Sequence, residues 1–260
     1  MHSTSSQPAT YVYGVVPAEP FQTGHPPLRV PGIGGHGDPV RTVVLRDLAA
    51  VVSDVPGLRV DLRRENLLDH QRVLEEVLHR SDVLPFSFGT VATNDEEVRE
   101  VLLHDGYDML CEQLAYTRGC VELEVKVFWE RERLFAEIAE ESEDIRALRD
   151  RIPLLPADEA AAESITLGQL TEREIELKSE WEADAVLDAL DPIAVDVLVS
   201  PKLSDTMVLN AACLVERVRE PELDVVVAAL AEERSGRMVF HYVGPLPPYS
   251  FINLAFEARG

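Results

Sequence analysis

Lysine is almost missing from this 260-residue chain: Lys126, Lys178 and Lys202 stand beside 21 Arg. The 24 basic residues face 47 Asp and Glu, which leaves a formal charge of −23. Phosphate binding works by Lys and Arg displacing counterions, so this balance argues against nucleic acid and against anionic membrane surfaces. The preference for Arg over Lys reads as genomic base composition, and the charge favours solubility without bearing on fold. Cysteine is scarce too. Cys111, Cys120 and Cys213 form no CxxC pair and are too few for a disulfide framework. Each has apolar or small neighbours, so all three are expected to be reduced, buried and inert. No run approaches 18 consecutive apolar residues, so no segment is expected to span a bilayer. The opening MHSTSSQPAT lacks a basic patch followed by an apolar run. It reads as a disordered tail over residues 1–10 and not as a secretory leader, which places the chain in the cytoplasm.

What is present is ordinary globular material, 46 % hydrophobic and 27 % charged, long enough for one large domain or two small ones. Tyr11–Pro17 is β-branched and aromatic and predicts a strand. Residues 18–39 hold five Pro and five Gly and predict a loop. Strands follow at Val40–Arg46 and Leu48–Val55, with the turn at Asp47. Leu67, Leu68, Val73, Leu74, Val77 and Leu78 recur at helical spacing and predict one buried face over Glu65–His79. Asp82–Thr93 reads as a strand. Asn94 then caps a helix that opens on three acids and runs towards Arg118, stopping at Gly119.

Val121–Trp129 alternates apolar and charged residues and predicts a half-buried strand. Two long helices, broken at Pro153 and Pro156, form an αα-hairpin over residues 131–190, with Leu134, Ile138, Ile145, Leu148 and Ile152 on one leg and Leu167, Leu170, Ile175, Leu177, Trp181 and Ala185 on the other. Residues 130–188 carry 18 acids against 7 bases, a net −11. Strands Ala194–Ser200 and Met207–Val218, a helix from Pro221 to Gly236, and strand Met238–Val243 complete a βαββαβ order. The expected fold class is α+β in two domains. Residues 11–119 form an N-terminal α+β domain. Residues 120–260 form a modified ferredoxin-like domain with the long helical hairpin, ending in a Pro-rich tail at 244–260.

Motifs with chemical meaning are few. The cluster Pro31-Gly32-Ile33-Gly34-Gly35 is followed by a strand instead of a helix and has no Lys nearby, so it reads as a permissive loop and not a phosphate cradle. His70 and His79 lie nine apart on one helix and point to opposite faces, and His25, His36, His104 and His241 show no ligand spacing. Ser53, Ser87 and Ser250 lack a nucleophile-elbow context. No catalytic, cofactor or metal site is singled out. The acidic hairpin reads either as a solvated face or as an arm offered to a basic partner. Two apolar segments, Pro85–Ala92 and Gly244–Phe256, are either buried or a preorganised docking surface. Phe86 and Phe88, two apart, are expected to share one strand face.

Eight segments in order carry a resemblance. They are YVYGVV at 11–16, PGIGG at 31–35, VRTVVLRDLAAVVSDVP at 40–56, DHQRVLE at 69–75, VLPFSFGTVA at 83–92, VELEVKVFW at 121–129, MVLNAACLV at 207–215 and GPLPPYSF at 244–251. Together they resemble the gas vesicle GvpF/GvpL family over about residues 11–256. One departure is Leu246, where the family tail has Trp; Leu keeps an apolar contact but loses ring area and an N–H donor. The resemblance implies a non-enzymatic accessory or minor structural protein located at gas vesicles. Its implied partners are the apolar gas vesicle shell protein and other accessory gas vesicle proteins during nucleation and assembly, with no cofactor. Candidate docking groups are Phe86, Phe88, Pro247, Pro248, Tyr249 and Phe251. The alternatives are a small-ligand sensor or enzyme on tandem ferredoxin-like domains, and a scaffold that binds only accessory proteins through the acidic hairpin.

Overall fold

The computed structural model describes residues 8–21, 28, 30–33 and 39–253. Residues 1–7 of the expected tail, Gly34 and Gly35 of the glycine cluster, His25 and His36, and tail residues 254–260 lie outside them. Two compact units emerge. One takes the chain up to Glu122 and again from Pro245; the other runs Leu123–Gly244. Residues 245–253, expected in the second domain, therefore pack with the first.

In the first unit, strand β1 (Ala9–Pro17) pairs antiparallel with β3 (Leu48–Val55), and β2 (Arg41–Leu45) pairs with β3 on its far side. Ala9 and Thr10 are buried and paired with Val55 and Asp54, so the strand begins two residues inside the expected tail. Helix α1 (Arg64–Leu78) follows. Its buried residues are His70, Val73, Leu74, Val77 and Leu78, while Leu67 and Leu68, expected on that face, are exposed.

The stretch expected as one strand at 82–93 is two short ones, β4 (Leu84–Pro85) and β5 (Val91–Ala92), both paired to β1. Residues 86–90 loop between them. Gly14 makes room for β4: a Cβ there would lie 2.4 Å from the Leu84 carbonyl oxygen. The expected single helix to Arg118 is also divided. Asn94 caps α2 (Asp95–Glu97), accepting from the Glu97 N–H, a π-helical stretch spans Val98–His104, and α3 (Tyr107–Tyr116) restarts after Gly106. Leu103 and Leu110 from these segments pack with Val12, Val15 and Phe86. Tyr11 and Tyr13, on the opposite phase of β1, meet α1 instead.

The second unit is a four-stranded sheet in the order β7-β8-β6-β9, from β6 (Cys120–Trp129), β7 (Asp196–Val199), β8 (Met207–Glu216) and β9 (Met238–Leu246). Numbered within the unit this is 2-3-1-4, the ferredoxin-like order. The hairpin lies between β6 and β7. Its first leg is two helices, α4 (Arg131–Glu141) and α5 (Glu143–Arg151), because Ser142 stops one and caps the other. Its second leg is α6 (Ala157–Leu190), a single helix of 34 residues. Helix α7 (Glu220–Glu233) precedes β9.

The buried stripe of α6 is Ser179, Glu182, Val186 and Leu190; Leu177 and Trp181, among the apolar residues of that leg, are exposed. Two hairpin acids are buried, Glu137 and Glu182. Glu182, 1 % exposed, meets Arg234 Nε at 2.9 Å and Arg237 Nη2 at 3.0 Å. Glu137 takes two bonds from Arg237, at 2.8 and 3.1 Å, which hold its carboxyl below the usual range against the effect of burial. The Trp129 indole N–H donates to Ser179 Oγ at 2.9 Å. The arginine bonds fasten the base of the hairpin to the turn between α7 and β9, and the Trp129 bond fastens it to the end of β6. Of the cysteines, Cys120 and Cys213 are buried as expected, Cys111 is only partly so, and none of the three is in a disulfide.

Candidate functional site

Four separate segments of the first unit meet at His70. Strand β1 brings Tyr11 and Tyr13, the loop after β4 brings Phe88 and Gly89, and the chain after β9 returns to bring Tyr249. Helix α1 places His70 on its buried face, at the helical phase of Val73, Leu74 and Val77, and leaves it 4 % exposed. The Tyr13 ring stacks on the imidazole with centroids 5.6 Å apart, and Phe88 presents to it edge-on at 5.9 Å.

The Gly89 N–H donates to Tyr11 Oη at 3.0 Å, and the same oxygen lies 2.9 Å from His70 Nδ1. The other ring nitrogen, Nε2, is hydrogen-bonded to Tyr249 Oη at 3.2 Å. The Ile33 N–H donates to Tyr13 Oη at 2.7 Å, and the Tyr13 and Ser53 hydroxyls are hydrogen-bonded to each other at 2.9 Å.

Burial pushes His70 down to about 4, outweighing a hydrogen bond to the Phe86 backbone that favours the charged ring. Burial likewise raises all three tyrosines. At neutral pH every member is uncharged. The junction ties four segments of the first unit together.

The returning chain is fixed at further points. Ser250 donates through both its backbone N–H and its Oγ to the Glu122 carboxylate, each at 2.7 Å, and Glu122 is 1 % exposed. Phe251 is 7 % exposed, and the Asn253 N–H reaches Gln113. Residues 247–253 thus form a strap across the first unit.

Of the six residues expected to offer a docking surface, four are buried: Phe86, Pro247, Pro248 and Phe251. Phe86 and Phe88 do not share a face. The Phe86 N–H bonds to the Tyr13 carbonyl and its ring joins the cluster beside α3, while Phe88, half-buried, packs on Tyr11 and His70. Tyr249 is 42 % exposed. The structure therefore unites Phe88 and Tyr249 around His70, which is not among the expected site residues. His79, on the opposite face, caps the far end of α1 and is exposed. The spacing of His70 to Val73 and Leu74 is the sequence signal for its burial. Among the described residues, no group of three His, Cys, Asp or Glu side chains is placed to hold a metal, and no helix is long and apolar enough to cross a membrane.

Comparison with known proteins decides the family. The family model described as gas vesicle synthesis protein GvpL/GvpF matches residues 9–253. The chain belongs to the GvpL/GvpF family. A gas vesicle protein F from Streptomyces sp. (strain CB03234) is 32 % identical over 94 % of this chain and 99 % of its own. The crystal structure of the gas vesicle protein GvpF from Anabaena sp. PCC7120 superposes with a TM-score of 0.82, at 25 % identity, covering 96 % of this chain and all of that one. That of GvpF from Microcystis aeruginosa gives 0.77 at 28 % identity, covering 95 % and 99 %. The mixed α and β architecture is thus that of GvpF, and the gas vesicle is the setting in which this GvpL/GvpF chain acts. Tyr11, His70, Phe88 and Tyr249 each lie in one of the segments that carry the family resemblance.

Proposed function

We propose that this chain is a non-enzymatic accessory or minor structural protein of gas vesicles. It binds the apolar shell protein, and other gas vesicle proteins, during nucleation and assembly. The observation that carries this reading is the family match over residues 9–253, together with full-length similarity to GvpF structures. A highly apolar shell subunit needs protection from premature association, and a soluble binder with a small aromatic surface supplies it. Phe88 and Tyr249 are the docking groups: both retain exposed area, and both are held rigid against His70, which lowers the entropy lost on contact. The formal charge of −23 keeps copies of the binder apart. The site of action is the gas vesicle and the cytoplasm around it.

Co-purification of the full chain with purified shell subunits tests this reading. Phe88→Ala and Tyr249→Ala, each confirmed folded by circular dichroism, are expected to lower capture at least tenfold. Undiminished capture by folded variants discards this surface, and a metabolite turned over by the purified protein discards the non-enzymatic role.

A further inference from the structure

The second unit carries a groove that the His70 junction does not use. The middle of α6 runs beside α4 and the loop before β8, and the three enclose about 860 Å³. Leu134 and Met207 are buried at its floor, and Leu167 and Ile175 are half-buried along α6. Phe135 and Leu203 stand at its rim, 45 % and 75 % exposed. Apolar side chains from α4, α6 and the loop therefore share one open groove with the polar side chains between them.

Gly168 also lines the groove, in the interior of α6. Glycine there costs about 1 kcal/mol relative to Ala. The fold does not require it. No heavy atom lies within 4 Å of where its Cβ would stand, and its φ is not among the positive ones. What the glycine does is bare the helix backbone on the groove side, so that another chain can approach closely.

Charge selects the occupant. Glu172 and Glu176 line the groove one turn apart, both exposed and with no ion-pair partner among the described residues. Asp205, Arg131 and Lys202 line it as well, so the local surplus is one acid, but the surrounding segment 130–188 carries a net −11. A second copy would bring −23 of its own and is disfavoured. The β8 strand beside the groove is an inner strand, so no sheet edge is offered for strand addition. Two helices and a loop around an apolar floor fit an amphipathic helix laid lengthwise.

We propose that this groove receives an amphipathic helix of a partner protein, with an apolar stripe against Phe135, Leu167, Ile175 and Leu203 and Lys or Arg flanks towards Glu172 and Glu176. The groove belongs to the second unit and Phe88 and Tyr249 to the first, and the proposal stands whether or not those residues hold the shell subunit.

The test uses the full chain and two labelled 18-residue helical peptides of the same apolar pattern, one Leu/Lys and one Leu/Glu. The Leu/Lys peptide is expected to bind and the Leu/Glu peptide not to. Gly168→Trp fills the groove without changing charge and replaces a poor helix former, so its melting temperature is expected to match or exceed that of the unsubstituted chain. Its Kd for the Leu/Lys peptide is expected to rise at least tenfold, and Leu203→Asp to act in the same direction. Unchanged affinity in folded Gly168→Trp overturns the proposal, because the peptide is then held by charge alone. Shell-subunit capture by Gly168→Trp is expected to stay at its original level; its loss also overturns the proposal, because the groove is then the shell site itself.

Discussion

His70 Nε2 lies 3.2 Å from the phenol oxygen of Tyr249, a residue 179 positions further along the chain. The bond joins helix α1 to the strap. The other ring nitrogen, Nδ1, meets Tyr11 Oη, so both ring nitrogens have a phenol partner. A second ring proton would put a charge on a buried imidazole among aromatic rings, which burial opposes.

Acid sensitivity follows. His70 sits at about 4 when folded, against 6.5 in the unfolded chain, so the unfolded state takes up the proton first. Stability from the neutral ring is complete above pH 6.5 and is lost as pH falls towards 4, to a maximum of about 3 kcal/mol. Urea unfolding between pH 7 and pH 4.5 is expected to show a falling midpoint. His70→Gln is expected to be less stable at pH 7 and to flatten that fall. Glu137, held down by Arg237, is also a depressed group, but its contribution is lost only as pH drops below the ordinary Glu range, near 4.5. An unaltered slope between pH 6.5 and 4.5 in His70→Gln would exclude this assignment.

The strap is held by a carboxylate it does not own. Ser250→Ala removes one of the two bonds to Glu122 and is expected to cost about 1.5 kcal/mol, the low end for a bond to a charged group because Ser250 is itself exposed. Ser250→Pro removes the backbone donor as well and is expected to cost about twice that. Hydrogen exchange at the Phe251 amide, which bonds to the Pro248 carbonyl, reports release of the strap. Equal exchange in all three proteins would show that Glu122 does not anchor it.

The buried ions at the base of the hairpin behave differently from the exposed ones. Glu182→Ala leaves Arg234, whose side chain is 9 % exposed, without its buried partner, and is expected to cost about 3–5 kcal/mol. Replacing both together, Glu182→Leu with Arg234→Met, is expected to recover most of that loss. Urea denaturation of the single and double variants checks this. A double variant no better than the single one would show that the pair is held by more than its own charges.

Much of the fold was legible because its signals are local. Alternation in Val121–Trp129, the cap at Asn94 and the breaks at Pro153 and Pro156 act within a few residues. The misplacements came from tertiary context. Pro85–Ala92 has strand composition, yet only its ends pair with β1, because the middle turns away to place Phe86 on one side and Phe88 on the other. Leu67, Leu68, Leu177 and Trp181 are apolar but exposed, and Glu137 and Glu182 are acidic but buried. Periodicity ranks residues by polarity and cannot see an arginine 52 or 100 positions away that neutralises an acid. The His70 junction is assembled from four distant segments, so no window of sequence contains it.

The strap also sets an order of manufacture. The second unit is one uninterrupted stretch, Leu123–Gly244, while the first is closed by residues that follow it. A ribosome delivers the chain from its N-terminus, so the first unit waits, lacking Tyr249 and Phe251, while everything in between is synthesised. The half that emerges earliest is the last to be finished, and its aromatic face stays incomplete until translation has passed Phe251.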